Sequence, residues 1–283
     1  MHKYVIGDRI GHGKFGTVHE AKCVNSTEKD ERVAIKRVDR SFLHQLDVGG
    51  DQYIEREILL HLSLDHPHIV CLLDHYRDET SFYLVMELAT GGDLHHFRLK
   101  RRGGKLKEKT VKHAMRQVLS AVAHCHGRDI IVRDVKPDNV LLVSGNTKKE
   151  RVWKLTDFGY SIQTRDLCTD AVGTVDFVSP EIALGKPYGK DVDIWAIGVS
   201  IYELLTGNLP FSASTYSGTY KKWGGPSLFC RFANATSRIK ACAPDYTFLS
   251  PDAVTLLSCI FVVEPAKRPV IEQLLKDPWI CED

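Results

Sequence analysis

The run Val132-Arg133-Asp134-Val135-Lys136-Pro137-Asp138-Asn139 brings two carboxylates, two cations and a carboxamide into eight consecutive residues. Outward from it, the chain divides by pattern. Before it, residues 4–10, 17–22, 32–38 and 82–86 are short, rich in β-formers and bounded by turn residues, so each is predicted as a strand. Residues 53–64 place Ile54, Ile58 and Leu62 on one face, which predicts a helix among those strands. Beyond Gly91-Gly92 the spacing becomes helical, with Val111, Met115, Val118, Leu119 and Val122 recurring at three- and four-residue intervals. Residues 191–205 are apolar on nearly every face and predict a buried helix stopped at Gly207. The fold class that accounts for this order is α+β. A small β-rich lobe with one main helix spans about residues 4–86, a hinge 87–92, and a larger, mostly helical lobe 93–279.

Hydrophobic residues make up 43% and charged residues 26% of the 283-residue chain, the balance of an ordinary soluble domain. A formal charge of +2 is too small to favour nucleic acid or a membrane surface as partner. The most apolar stretch, 194–205, is broken by Ser200 and Glu203 and is too short to insert across a bilayer. The eight cysteines are scattered with no Cys-x-x-Cys pair, which fits neither a zinc site nor a disulfide-stapled secreted fold. Met1-His2-Lys3-Tyr4 leads directly into a strand pattern rather than a signal sequence. A monomeric, cytoplasmic or nuclear protein is expected, and the sequons at Asn25 and Asn234 are read as chance matches.

Ile10-Gly11-His12-Gly13-Lys14-Phe15-Gly16-Thr17-Val18 fits the pattern G-x-G-x-x-G-x-V. Glycines let a strand–turn–strand fold closely over a nucleotide, because backbone N–H groups reach phosphate oxygens without Cβ clashes. Glycine turns between strands are common, so the motif alone is weak. The dinucleotide-binding version needs a helix directly after the glycines, whereas Thr17-Val18-His19-Glu20-Ala21 reads as a second strand. Val33-Ala34-Ile35-Lys36 puts a lysine on an apolar strand, and Glu57 sits on the helix that follows. Either charge alone is more often a solvated side chain. Together, a strand lysine held by a helix glutamate is a device for placing a cation on the α- and β-phosphates.

With Asp157-Phe158-Gly159 following the opening run, the chain from about residue 4 to residue 279 resembles the eukaryotic protein kinases of Ser/Thr type. The resemblance implies the bilobal protein kinase fold, ATP and Mg²⁺ as cofactors, and transfer of the γ-phosphate to Ser or Thr hydroxyls of protein substrates. It implies that Asp134 orients the substrate hydroxyl and accepts its proton, that Lys136 contacts the γ-phosphate, and that Asn139 and Asp157 bind the metal. It further implies that Ile10, Gly11, Gly13, Gly16, Val18, Ala34, Lys36, Met86, Glu87, Ala89, Asp93, Leu141 and Asp157 surround the nucleotide, with Met86 as gatekeeper and backbone groups of Glu87 and Ala89 on the adenine. Gly173-Thr174 with Ser179-Pro180-Glu181 resembles the peptide-positioning loop, so Thr174 is expected near Asp134 and Lys136, and Arg268 is expected to pair with Glu181. The segment Gly173–Glu181 and Asp277-Pro278-Trp279 look most like the calcium/calmodulin-dependent kinase group.

Three positions depart from the family pattern: Val132 where histidine is usual, Ser179 where alanine is usual, and His61 at a normally apolar helix position stacking on Phe158. None removes a group that handles phosphate, so an active enzyme is expected. Asp170 stands where relatives commonly carry a phosphothreonine and is expected either to pair with Arg133 or to be solvated. Thr164 and Thr169 are candidate phosphosites. Asp93, Asp138 and Glu203 fall where basophilic members receive upstream arginine or lysine of the substrate; the alternative is that Asp93 meets the ribose and the others are structural. Residues 100–105 form a basic loop, 212–247 match the family poorly, and Cys168 reads as an inert thiol. Two other readings are a pseudokinase scaffold, which Val132 and His61 favour, and a small-molecule kinase, which the loop around Thr174 disfavours.

Overall fold

The computed structural model describes residues 3–13, 16–24, 32–45, 50–143, 151–211, 247 and 249–281. Lys14 and Phe15 at the glycine-loop tip, both sequons and nearly all of 212–247 lie outside these residues. In chain order the elements begin with β1 (Tyr4–Gly13), β2 (Gly16–Cys23), β3 (Arg32–Asp39), α1 (Arg40–Gln45), α2 (Asp51–Leu62), β4 (Leu72–Arg77) and β5 (Ser81–Glu87). Then come α3 (Leu94–Leu99), α4 (Glu108–His126), β6 (Ile130–Ile131), β7 (Val140–Val143), β8 (Val152–Leu155) and β9 (Ile162–Gln163). The chain continues through α5 (Pro180–Ala183), α6 (Asp191–Thr206), α7 (Pro251–Ile260), α8 (Ile271–Leu274) and α9 (Pro278–Cys281).

Packing separates the chain into two compact units. The first comprises Met1–Gly92 and Leu141–Gly159, and the second Asp93–Val140 and Tyr160–Asp283. One boundary falls at the end of the expected hinge. The chain crosses again at Val140/Leu141 and at Gly159/Tyr160, so 141–159 pack with the first unit.

The first unit is an antiparallel sheet of order β1-β2-β3-β5-β4. Strand alternation sends Ala21, Val33, Ile35, Tyr83 and Val85 into one cluster. The opposite face sends Val38, Phe82, Leu84 and Met86 against Ile54 and Ile58 of α2. The four predicted strands are present, each lengthened at one or both ends, and the predicted helix 53–64 is α2. The sequence reading missed β4. Its run Leu-Leu-Asp-His-Tyr-Arg carries a bulge between Leu72 and Asp74, which breaks the alternation a strand reading needs.

In the second unit, α6 is buried along nearly its whole length and ends where Gly207 turns left-handed at φ 81°. A Cβ at Gly198 would lie 2.4 Å from Ile260, so this glycine lets α6 press against α7. Arg268 grips Glu181 with two hydrogen bonds of 2.7 Å, as expected from the sequence. Its guanidinium also lies over Trp195. Both side chains of that ion pair are buried.

Candidate active site

Sheet register sets one cluster of candidate residues inside the first unit. Gly11 pairs Val18, Val18 pairs Lys36 and Lys36 pairs Leu84, while Ala34 pairs Met86. Opposed residues share a face, so Val18, Ala34, Lys36 and Met86 line one side of the sheet. Leu141 packs against the cluster that contains Met86. Lys36, 6% exposed, donates to Glu57 Oε1 at 2.8 Å and to Asp157 Oδ1 at 3.0 Å. Burial alone would deprotonate this amine, but the charges of Asp157 and Glu57 outweigh it and raise its pKa. Burial, with Asp157 nearby, pushes the Glu57 carboxyl up against the pull of Lys36. Among the described residues Glu57 Oε2 is buried with no hydrogen-bond partner, and a Cβ on Gly159 would lie 3.2 Å from it. Asp157 itself takes φ 63°, a conformation that non-glycine residues adopt sparingly and that clusters at functional turns.

The loop glycines differ in what requires them. A Cβ at Gly16 would lie 1.8 Å from the Arg37 carbonyl oxygen, so β3 itself demands glycine there. Cβ atoms at Gly11 and Gly13 would meet only ordinary contacts, and Ile10 at the strand end is exposed. Glu87 donates its backbone N–H to the Cys71 carbonyl, while its carboxylate receives Cys71 N–H and the Lys154 ammonium. Ala89 is partly buried.

A separate cluster of candidate residues lies in the second unit. Lys136 Nζ is 2.8 Å from Asp134 Oδ2 and 2.5 Å from Thr174 Oγ1, and Thr174 Oγ1 donates to Asp134 Oδ1 at 2.6 Å. Asn139 Nδ2 donates to the Asp134 backbone oxygen and to its Oδ2, both at 2.9 Å. Both carboxylate oxygens are therefore held, which fixes the orientation of a buried acid. Beneath it, Asp193 on α6 is fully buried and receives three donors. These are Val132 N–H at 2.9 Å, Arg133 N–H at 2.7 Å and His126 Nε2 at 2.8 Å. Arg133 is held at φ 66°. The loop is thus anchored through backbone amides, which makes the anchor independent of the side chain at 132. Gly173 is required here, because a Cβ would lie 2.6 Å from the Arg133 carbonyl oxygen.

Asp170 pairs with Arg133 rather than standing solvated. Arg133 Nη1 reaches both Asp170 oxygens, and Tyr188 Oη bridges the two side chains. Arg133 Nε donates to the Tyr160 carbonyl at 2.5 Å, tying the start of the loop to the same guanidinium. Burial works against the Asp170 charge, yet Arg133 and Tyr188 hold its carboxyl below the ordinary value. Burial raises the Cys168 thiol, consistent with an unreactive cysteine. Thr169 is exposed, whereas Thr164 is hydrogen-bonded through its hydroxyl to Asp166 N–H.

The acidic residues proposed for substrate contact differ in availability. Asp93 caps α3 by accepting from His96 N–H at 2.7 Å. Glu203 is buried and bound by Arg98, with His95 Nδ1 at 3.3 Å. Asp138 is half-exposed, 4.0 Å from His95. Sequence reasoning missed Arg98 because a buried arginine on an amphipathic helix looks like a solvated one. It missed Tyr53, whose hydroxyl donates to the Gly159 carbonyl, and Tyr188, whose role depends on a contact between distant segments. Ser179 Oγ is buried without a hydrogen-bond partner among the described residues, and Ser179 lines a cavity of about 10 Å³ together with Asp134 and Thr174.

The family model described as protein kinase domain matches residues 4–280. Aurora kinase C of Mus musculus is 32% identical over 100% of this chain and 93% of the relative. Calcium/calmodulin-dependent protein kinase type II of Caenorhabditis elegans is 35% identical over 98% of this chain and 36% of the relative. The hormonally up-regulated neu tumor-associated kinase homolog of Xenopus tropicalis is 34% identical over 99% of this chain and 38% of the relative. The chain spans well under half the length of those last two relatives and nearly all of the first.

Proposed function

This chain belongs to the protein kinase family as a serine/threonine kinase domain, and from that premise we propose that it is an active phosphotransferase whose chemistry runs through Asp134. The family uses ATP and Mg²⁺ and acts on protein substrates. The observation that carries the reading is the closed set Asp134, Lys136, Asn139 and Thr174, in which the acid, a cation and a hydroxyl are mutually hydrogen-bonded. Asp134 accepts the substrate hydroxyl proton as the oxygen attacks the γ-phosphorus and the bond to the β,γ-bridging oxygen breaks, ADP leaving with the electron pair, while Lys136 offsets charge on the transferring oxygens. Lys36, fixed by Glu57, meets the α- and β-phosphates. Hard oxygen donors suit Mg²⁺, and Asp157 with Asn139 supplies them. The Asn139 amide nitrogen is committed to Asp134, so Asn139 would offer such an ion its carbonyl oxygen. When bound, such an ion would supply neutralisation of phosphate charge. Ile10, Val18, Ala34, Met86 and Leu141 surround the adenine, Gly11, Gly13 and Gly16 cover the phosphates, Glu87 and Ala89 meet the base through backbone groups, and Asp93 meets the ribose. In this reading the domain spans 4–279, with lobes at 4–86 and 93–279 joined by the hinge 87–92.

Substrates with arginine or lysine upstream of the target Ser or Thr are part of this reading. The preference rests on Asp138, since Arg98 already meets the charge of Glu203. Among the described residues no helix is long and apolar enough to cross a membrane. A monomeric protein in the cytoplasm or nucleus completes the reading.

The test is incubation with Mg-ATP and a basic Ser-containing peptide, wild type beside Asp134→Asn. Loss of phosphate incorporation of about a thousandfold or more in the variant is expected; equal incorporation by both would overturn the mechanism. A peptide array with no gain from upstream arginine would remove the basophilic part alone.

A further inference from the structure

Three side chains of α2 stand at four-residue intervals on one buried face: Tyr53, Glu57 and His61. Each reaches off the helix to a different anchor. Tyr53 Oη donates to the Gly159 carbonyl. Glu57 accepts from Lys36 at 2.8 Å. His61 Nε2 lies 2.7 Å from the Val70 carbonyl, and because that partner only accepts, Nε2 carries the proton. The His61 ring also sits 4.9 Å from the Phe158 ring at 51°. Two of these four contacts therefore land on Phe158 and Gly159, immediately after Asp157.

We propose that Tyr53 and His61 are positioning residues that clamp α2 one turn either side of Glu57, so that Lys36, Glu57 and Asp157 are held assembled by bonds internal to this unit. A helix pinned only at Glu57 is free to roll and to slide along its axis. Anchors about 6 Å to either side of that point remove both motions. The chemistry of the two residues supports a directional role over simple filling. A buried hydroxyl or imidazole costs stability unless it is bonded, and leucine would fill the same space without a bond. Here the Tyr53 hydroxyl and the His61 Nε2 each bond a backbone carbonyl whose position the fold fixes. Burial also lowers the His61 pKa to about 4, so the ring is a neutral donor across the physiological range. The clamp explains how Asp157 is kept at its left-handed φ while its carboxylate stays on Lys36.

This inference rests on the reading of Lys36, Glu57 and Asp157 as the nucleotide-anchoring set. Tyr53→Phe deletes only the hydroxyl, His61→Leu deletes the donor and keeps the volume, and His61→Gln restores a neutral donor. Two readouts are compared: the KM for Mg-ATP against kcat at saturating peptide, and amide hydrogen exchange of residues 51–62 and 157–161 in nucleotide-free protein. Tyr53→Phe and His61→Leu should each lower kcat/KM for ATP about fivefold, the effect of one buried hydrogen bond, with peptide KM unchanged. Both should speed exchange in the two segments by a similar factor, and His61→Gln should behave as wild type. If either readout stays at the wild-type value in both deletion variants, the clamp is wrong. If His61→Gln is as impaired as His61→Leu, His61 acts through packing and its part of the proposal falls. Should the wild type transfer no phosphate, the proposed function fails instead, and the exchange pattern alone decides the clamp.

Discussion

Arg133 Nη1 lies 2.8 and 2.7 Å from the two carboxylate oxygens of Asp170, so one buried guanidinium is closed by one half-exposed acid. The same guanidinium holds Tyr160 and Tyr188, and the next residue is Asp134. Asp170 thereby does with a carboxylate what a phosphate does with more charge and more acceptors.

Asp170→Ala is expected to lower kcat/KM about tenfold in protein stripped of phosphate, roughly 1.4 kcal/mol of lost positioning. Asp170→Glu should retain most of the activity. Steady-state kinetics on phosphatase-treated protein checks this, and an unchanged rate for Asp170→Ala would sink the idea. Because the paired carboxyl sits below its ordinary pKa, the pair persists at all pH values above the usual carboxylate range and is lost only as pH falls through the lowered value.

His61 makes stability depend on pH in a different window. Its pKa is about 4 in the folded protein against 6.5 when free, because burial disfavours the cation. Between these values the unfolded chain binds more protons, so stability is full above pH 6.5 and falls as pH drops toward 4. The loss attributable to this one group is up to roughly 3 kcal/mol. Urea midpoints measured from pH 7.5 to 4.5 should show a slope that His61→Leu flattens; identical slopes in both proteins would contradict the assignment.

Ser179→Ala should stabilise. The hydroxyl is buried and no partner satisfies it, and such a group costs about 1–3 kcal/mol. Replacement by alanine removes the polar atom with little change of volume, so a gain of about 1 kcal/mol in chemical denaturation is expected. Destabilisation by the same amount would mean that the hydroxyl has a bonded role.

Arg268→Ala should cost roughly 3–5 kcal/mol, since it leaves the buried Glu181 carboxylate without its partner. The double variant Arg268→Met with Glu181→Leu should recover part of that loss, which a double-mutant denaturation series measures. If the single variant melts with the wild type, the pair is energetically idle.

Local patterns carried most of the fold. The β3 run Val33-Ala34-Ile35-Lys36, the face of Ile54 and Ile58, and the apolar α6 each declare their element through residues close in sequence. β4 did not, because a bulge interrupts its period. The site divides the same way. Asp134, Lys136 and Asn139 lie within one short run, and the structure brings Thr174 to them as expected. Tyr53 with Gly159, Arg98 with Glu203, and Tyr188 with Arg133 are separated by long stretches of chain. Their chemistry exists only once distant segments meet, and no spacing in the sequence encodes it.

Asp193 receives the run 132–139 through two backbone N–H groups, and every amino acid except proline offers that group. This contact therefore depends on the carboxylate of residue 193 and asks nothing of the side chain at 132. A search for distant relatives that insists on the first letter of the run would discard this chain. One that insists on the acid in Asp193-Ile194-Trp195 would keep it.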